Sequence, residues 1–400
     1  MTGTCNIPIT PPAREHLAPK GLASTLVLAL GTFAVGTDAF VVAGFLPAMA
    51  ASLRVSEATA GQSLTVFAAA YAVASPVLAT LTARLPRRAL LVGALLVLGV
   101  ANAASALAPD YPVLIASRVL AALGAAAFTP NAGAVASSLV APAQRARALA
   151  VVVGGLTVAT ALGVPLGNLA GRALDWRSAL ALVAALCGVC AAGVFAIMPV
   201  LPGNPRVPLR DRLAMLRRPG VLAVLPLTVL GMAAAYTVYA YSVPVLGAVG
   251  VAPPGVTAML FLYGAGAVAG NLASGAATDR WGSVRVLACG YAVMAVGLAA
   301  LALAVATGTR SPVATGVLMA AWGASSWCQT PAQQHRLIAA APRETALVVG
   351  LNASAIYLGI GLGTVFGGLV LPAGIGVAAG AGAVLAVVAL SYLGLTRRHA

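Results

Sequence analysis

The 400-residue chain is 61% hydrophobic and 8% charged, with a mean hydropathy of +0.99. That composition excludes a soluble globular domain. A formal net charge of +15 would suggest a nucleic-acid partner in a soluble protein; here the order of the basic residues assigns the charge to membrane topology and leaves no role for nucleic acid.

Residues 1–20 lack the apolar core and small-residue cleavage site of a secretory leader and read as a cytoplasmic N-terminal tail. Apolar runs long enough for one bilayer crossing follow at 21–46, 58–81, 89–108, 112–137, 146–170 and 178–199, a first six-helix bundle over 21–200. The longest connection, 201–220, carries Arg206, Arg210, Asp211, Arg212, Arg217 and Arg218 with several prolines and reads as a cytoplasmic linker. Six further runs, 221–246, 255–277, 285–306, 312–334, 345–370 and 372–395, form a second bundle over 221–395, with a cytoplasmic tail at 396–400. The expected fold is an all-α polytopic membrane protein with twelve transmembrane helices in two pseudo-symmetric six-helix bundles.

With both termini in the cytoplasm, the basic residues of the even-numbered connections, the linker and the tails all fall inside, Arg336 and Arg343 among them. Only Arg54, Arg172, Arg177 and Arg310 then face outward, the asymmetry expected of a multi-pass protein of a cell membrane. The two halves also repeat weakly. Ala83-Arg84-Leu85-Pro86-Arg87-Arg88 follows the second span, and Asp279-Arg280-Trp281-Gly282-Ser283-Val284-Arg285 follows the eighth. Parallel halves around a central cavity are a transporter arrangement.

Inside the spans, charge is scarce. Asp38 is the one acid within a predicted span and Arg118 the one base away from the span ends. Each costs at least about 2.5–3.5 kcal/mol at the bilayer centre, so each is a functional candidate by default. A static ion pair is the plain reading. The sharper one makes Asp38 a proton carrier, either at the midplane or in an outer cavity. Desolvation favours a neutral carboxyl and a nearby guanidinium a charged one, so movement of Arg118 or arrival of substrate would switch its protonation. Substrate contacts are expected from polar and aromatic groups in apolar helices: Tyr71, Phe128, Asn131, Tyr236, Tyr239, Tyr241, Tyr263, Trp322, Gln329, Asn352 and Tyr357. Such walls suit neutral or amphipathic solutes.

The fifth run contains Gly154, Gly155, Gly163, Pro165 and Gly167. Glycine weakens a helix by roughly 1 kcal/mol and proline by roughly 3, so these residues mark close packing or a bend. We expect them to face the eighth or eleventh span across the seam between the halves, with Pro165 bending the helix near its outer end. No nucleotide-binding GxxxxGK loop is present, so ATP is not expected to drive the protein directly; the Asp38 reading makes a proton gradient the expected driving force, with no cofactor and no metal. Cys187 and Cys190 have CxxC spacing but lie in an apolar run without other ligands, and read as small apolar residues.

These features together resemble the twelve-span drug:proton antiporter branch of the major facilitator superfamily. The two basic turns are similar to its loop signature, the Leu114–Gly124 stretch around Arg118 to its fourth-span signature, and the Gly154–Gly167 stretch to its fifth-span antiporter signature. Gly36-Thr37-Asp38-Ala39-Phe40-Val41, followed by Gly44 and Pro47, resembles the first span of bacterial exporters of chloramphenicol, sugars and nucleosides. The loop signature departs from the family at Ala83, usually Asp, and Pro86, usually Gly; the gate-holding role of the loop aspartate would fall to Asp279.

The resemblance implies proton-coupled efflux of a small organic molecule by alternating access, with chloramphenicol-type or multidrug antibiotic resistance as its physiological face. It implies a monomer in a bacterial inner or plasma membrane, and no enzyme activity. Export of a metabolite, such as an arabinose-like sugar, a purine nucleoside or an amino acid, is the first alternative. A receptor or scaffold that keeps the fold without transport is the second.

Overall fold

The computed structural model describes residues 18–397 apart from 142, 143 and 204. Most of the expected tails at 1–20 and 396–400 therefore lies outside the described residues.

The first half contains α1 (Ala18–Leu53), α2 (Glu57–Leu81), α3 (Arg87–Ala106), α4 (Tyr111–Ser138), α5 (Arg145–Ala173) and α6 (Trp176–Ile197). The linker holds the short α7 (Leu209–Ala214). The second half contains α8 (Pro219–Tyr239), α9 (Ser242–Ala248), α10 (Pro253–Trp281), α11 (Ser283–Thr307), α12 (Pro312–Trp327), α13 (Gln329–Ala340), α14 (Thr345–Val370) and α15 (Ile375–Thr396).

Several helix starts on the face opposite the linker are capped by side chains that accept from the backbone: Ser56 from Thr59 at 3.0 Å, Asp110 from Val113 at 3.0 Å and Asp175 from Ser178 at 2.5 Å. Asp110 and Asp175 are thus helix caps that satisfy free N–H groups. The Ser178 N–H bond holds the Asp175 carboxyl below the usual carboxylate range. At the second basic turn Gly282 has φ +82°, a left-handed conformation that favours glycine there.

Among the described residues, eleven helices are long and apolar enough to cross a membrane. The expected tenth span at 312–334 is instead two helices, α12 and α13, meeting at Cys328. The chain turns polar at Gln329-Thr330-Pro331 but stays helical to Ala340. This corrects the placement of Arg336 in a cytoplasmic connection: it lies in α13 and is 1% exposed. Its guanidinium donates to Gln333 Oε1 and to the Thr396 carbonyl at the end of α15, both at 3.4 Å. A cation at a helix C-terminus complements its dipole.

The two halves repeat one helix arrangement. α1 lies along α5 as α8 lies along α14, α3 packs on α6 as α11 packs on α15, and α2 on α4 as α10 on α12. The halves meet along two seams, α5 with α10 and α2 with α14. One apolar core, from Leu28 and Phe40 in the first half to Trp322 and Tyr357 in the second, runs through both. Large apolar side chains such as Val73, Val100, Val189, Leu272, Val296 and Leu369 are exposed, the surface expected against lipid.

Candidate functional site

α1 places Asp38 near the middle of its 36 residues. The carboxylate is fully buried. Arg118, reaching across from α4, donates from Nη1 to Asp38 Oδ1 at 2.6 Å and from Nη2 to the Asp38 carbonyl at 3.2 Å. The guanidinium lies over the Phe67 ring of α2, 4.7 Å from its centroid. Asp38 Oδ2 and Arg118 Nε have no hydrogen-bond partner. A buried ion pair with a spare acceptor and a spare donor is stable only while its partners stay in place, and either group can accept a new one.

Aromatic side chains form two groups between the bundles. Phe40, two residues on from Asp38, lies 6.5 Å from Tyr236, 6.2 Å from Tyr239 and 5.9 Å from Trp327 between ring centroids. Tyr239 continues to Tyr263 at 5.0 Å, and Tyr263 to Trp322 at 4.9 Å. All six are buried. Across the second seam Tyr71 and Tyr357 stack at 3.7 Å, with Phe67 6.1 Å from Tyr357. The Tyr236 and Tyr239 hydroxyls, Trp322 Nε1 and Asn352 Nδ2 are buried without hydrogen-bond partners. Such orphaned groups are costly in apolar surroundings and mark where another molecule can bind.

Of the expected substrate contacts, Tyr236, Tyr239, Tyr263 and Trp322 come together, and Tyr71 meets Tyr357. The others have different surroundings. Phe128 fills the space left by Gly31 of α1. Asn131 accepts from Arg87 Nη1 at 2.9 Å and donates to the Ala127 carbonyl at 2.8 Å, tying α4 to the first basic turn. Gln329 accepts from Tyr291 at 3.1 Å and donates to Ser326 at 2.8 Å beside the break in span ten. Asn352 accepts from Thr228 at 3.1 Å. Tyr241 donates to the Thr364 carbonyl at 3.3 Å. Phe40, Phe67 and Trp327 belong to the site but were not singled out in the sequence. Phe67 carried a signal: it precedes Tyr71 by four residues and so shares its helix face.

The glycine stretch faces its own half more than the other. A Cβ at Gly155 would strike the Ala29 carbonyl oxygen of α1, and one at Gly167 would lie 2.5 Å from the Val41 carbonyl oxygen. Gly163 sits against Thr37 and Phe40, which flank Asp38, while Gly154 has open space around it. The contact of α5 with the eighth span comes instead from Ala161, packed on Gly264, from Asn168 and from Arg172. The eleventh span meets α2, not α5. The helix continues unbroken through Pro165.

In the first basic turn Arg84 is exposed, while Arg87 is buried and donates to Asn131 and the Ala83 carbonyl. Arg88 lies over the Phe195 ring at 5.1 Å. In the second turn Asp279 and Arg280 are exposed beside Gly282.

Among the described residues, three hydrogen bonds join the bundles directly: Thr65 to the Gly361 carbonyl at 3.5 Å, Thr257 to Asn168 Oδ1 at 2.8 Å, and Arg172 to the Pro253 carbonyl. All lie in the half of the molecule away from the linker. On the linker side the bundles are bridged through the linker itself, by Thr80 to the Val207 carbonyl at 3.2 Å and Arg212 to the Ala79 carbonyl at 3.4 Å.

The family description "Major Facilitator Superfamily" matches residues 28–250. The chain is 35% identical over 352 residues to an inner membrane transport protein, YdhP, of Escherichia coli O157:H7, covering 88% of this chain and 89% of that one. It is 37% identical over 308 residues to a chloramphenicol resistance protein of Streptomyces lividans, covering 75% and 77%. A crystal structure of a bacterial homologue of the human lysosomal transporter Spinster shares the fold, with a TM-score of 0.70 over 97% of this chain and 98% of that one at 17% identity. The chain belongs to the Major Facilitator Superfamily and is a membrane transporter of that fold.

Proposed function

We propose that the protein exports a small, uncharged or weakly polar aromatic molecule in exchange for protons, with an antibiotic of the chloramphenicol type as the leading substrate. The observation that carries this reading is the buried Asp38–Arg118 pair, together with a packed cluster of aromatic side chains to which both bundles contribute. A carboxylate whose charge is held by a movable guanidinium can take up a proton when that guanidinium leaves, and return it when the pair re-forms. Aromatic faces supply apolar contact area, and the unpartnered hydroxyl and indole donors supply orientation. The similarity to the chloramphenicol resistance protein supports the substrate choice.

With the linker in the cytoplasm, the inter-bundle bonds of Thr65, Asn168 and Arg172 lie on the outer side. The basic residues of the linker and the neighbouring turns support that orientation. The protein would act as a monomer in a bacterial inner membrane, driven by the proton gradient without a cofactor.

The test is drug susceptibility in a bacterium lacking its own pumps. Expression should raise resistance to chloramphenicol, a protonophore should abolish the gain, and Asp38→Asn should abolish it while the protein still inserts. Normal export by Asp38→Asn, or resistance indifferent to the protonophore, defeats the proton-coupled reading. Export of a sugar or nucleoside with no drug resistance defeats the choice of substrate.

A further inference from the structure

The aromatic rings at the α2–α14 seam were expected to touch substrate. Instead Tyr71 and Tyr357 touch each other, stacked at 3.7 Å across the two bundles. Each lies near the middle of its helix, with Phe67 one turn before Tyr71. Phe67 has two neighbours of consequence: the ring of Tyr357, 6.1 Å away in the other bundle, and the guanidinium of Arg118, 4.7 Å from its centroid in its own. A continuous line of contact therefore runs from the second bundle to the charge pair: Tyr357, Phe67, Arg118, Asp38.

We infer that Phe67 and Tyr357 form an inter-bundle clasp that positions Arg118 on Asp38, so that parting of α2 from α14 loosens the ion pair. Phe67 and Tyr357 are positioning residues; the proton site remains Asp38. The physical argument rests on what holds the guanidinium. One face lies on Phe67, in a desolvated cation–π contact. Its edge bonds Asp38. Phe67 in turn is confined by Tyr357 and by close approach of the two helices, where Gly361 meets Ala68 and the Thr65 carbonyl. When the seam opens, Tyr357 leaves with the second bundle and Phe67 gains rotational freedom. The guanidinium then loses one wall of its site. A conformational change between bundles is thereby converted into a change at the carboxylate, which alternating access with proton coupling requires.

Among the described residues, Arg118 is the one charged group paired with Asp38. The other titratable side chains toward it are Cys187 on α6 and Tyr357 on α14, with Tyr71 stacked on Tyr357. α5 carries its arginines at its ends, α3 carries Arg87 and Arg88 at its start, and α9 has no titratable residue.

The inference deepens the antiport reading and takes its functional meaning from it, so two measurements are needed. The first needs no proton coupling. In a Tyr71→Cys/Tyr357→Cys protein, a short disulfide-forming bifunctional thiol cross-linker should slow transport of chloramphenicol at least tenfold, and a reductant that cleaves it should restore transport. Full transport by the cross-linked protein overturns the clasp whatever drives the transporter.

The second is the pH profile of export in proteoliposomes. Tyr357→Leu and Phe67→Leu should displace the profile by about one pH unit toward alkaline, a tenfold change in proton concentration. Tyr357→Phe, which keeps the ring, should retain the wild-type profile. Leucine variants that fold and export more slowly with an unmoved profile overturn the positioning role, as does a Tyr357→Phe protein that behaves like Tyr357→Leu. A wild-type profile that is flat and indifferent to a protonophore defeats the antiport reading instead, and leaves the cross-linking result to decide whether the clasp parts.

Discussion

The two bundles repeat each other in scaffold and differ in chemistry. In the first, glycines of α5 meet backbone carbonyls of α1; in the second, Gly363 and Gly367 of α14 meet the carbonyls of Ala233 and Thr237 on α8. The outer ends of the partner helices break alike. α1 has non-helical backbone at Phe45, followed by Pro47, and α8 gives way to α9 around Tyr241, followed by Pro244. Phe45 rests against Gly171 and Tyr241 against Gly367. The polar interior is not repeated. The first bundle holds the ion pair Asp38–Arg118, whereas the second holds neutral pairs, Thr228 with Asn352 and Tyr291 with Gln329, and a buried cation, Arg336, bonded to neutral acceptors. Close helix approach is needed wherever two bundles of this shape fold, so duplication preserves it. A buried ion pair carries a desolvation cost of several kcal/mol per ion, and one proton carrier needs only one.

The largest break in this asymmetry is Arg118→Ala. It leaves the Asp38 carboxylate buried without its partner, a loss of about 3–5 kcal/mol. Transport should vanish and the thermal midpoint in detergent should drop sharply. Adding Asp38→Asn should recover the midpoint and not the transport, because the second change removes the stranded charge together with the carrier. A single variant as stable as wild type would mean that the pair does not anchor α1 to α4.

The repeated half of the comparison breaks with smaller, matched effects. Gly155→Leu and Gly363→Leu each drive a side chain into a carbonyl of the neighbouring helix, and overpacking costs about 1–3 kcal/mol. Both should lower the yield of folded protein and its thermal midpoint to similar extents. Gly154→Leu, with open space around the Cα, should change neither. A damaging Gly154→Leu, or a harmless Gly363→Leu beside a damaging Gly155→Leu, would show that the two scaffolds are not equivalent.

How far the sequence revealed this division depended on the interaction involved. Spans were legible because lipid demands long apolar runs, and Asp38 and Arg118 stood out because charge is so costly there. The tenth span was misjudged because α13 is polar where it passes through the protein interior, and hydropathy cannot tell a polar helix from a loop. Arg336 was misplaced for the same reason: its burial comes from packing beside the end of α15, far away in sequence. The glycines announced close approach but not the partner, since spacing along one helix says nothing about which neighbour faces it. Tyr71 and Tyr357 were picked as aromatic groups in apolar helices, yet their stacking depends on two helices nearly 300 residues apart.

The smallest expected effect uses an ion pair of opposite character. Arg218, at the end of the linker, holds Glu344 by two bonds, Nη1 to Oε2 at 2.9 Å and Nη2 to Oε1 at 2.6 Å, with both side chains partly exposed. The pair fastens the linker to the turn before α14. The hydrogen bonds from Arg218 hold the Glu344 carboxyl below its ordinary value of 4.5. Its stabilisation is therefore complete above that value and is lost as pH falls through the depressed one. Glu344→Gln should lower the thermal midpoint slightly at neutral pH, and the difference from wild type should shrink towards zero as the buffer is taken well below pH 4.5. High salt should shrink it too, because solvent screens an exposed pair. The buried pair should respond to salt far less, so parallel salt series on Glu344→Gln and Arg118→Ala separate a fastening at the surface from the charge site at the centre. Equal salt sensitivity in the two would place Arg118 in contact with water and remove the physical basis for treating Asp38 as a sheltered proton site.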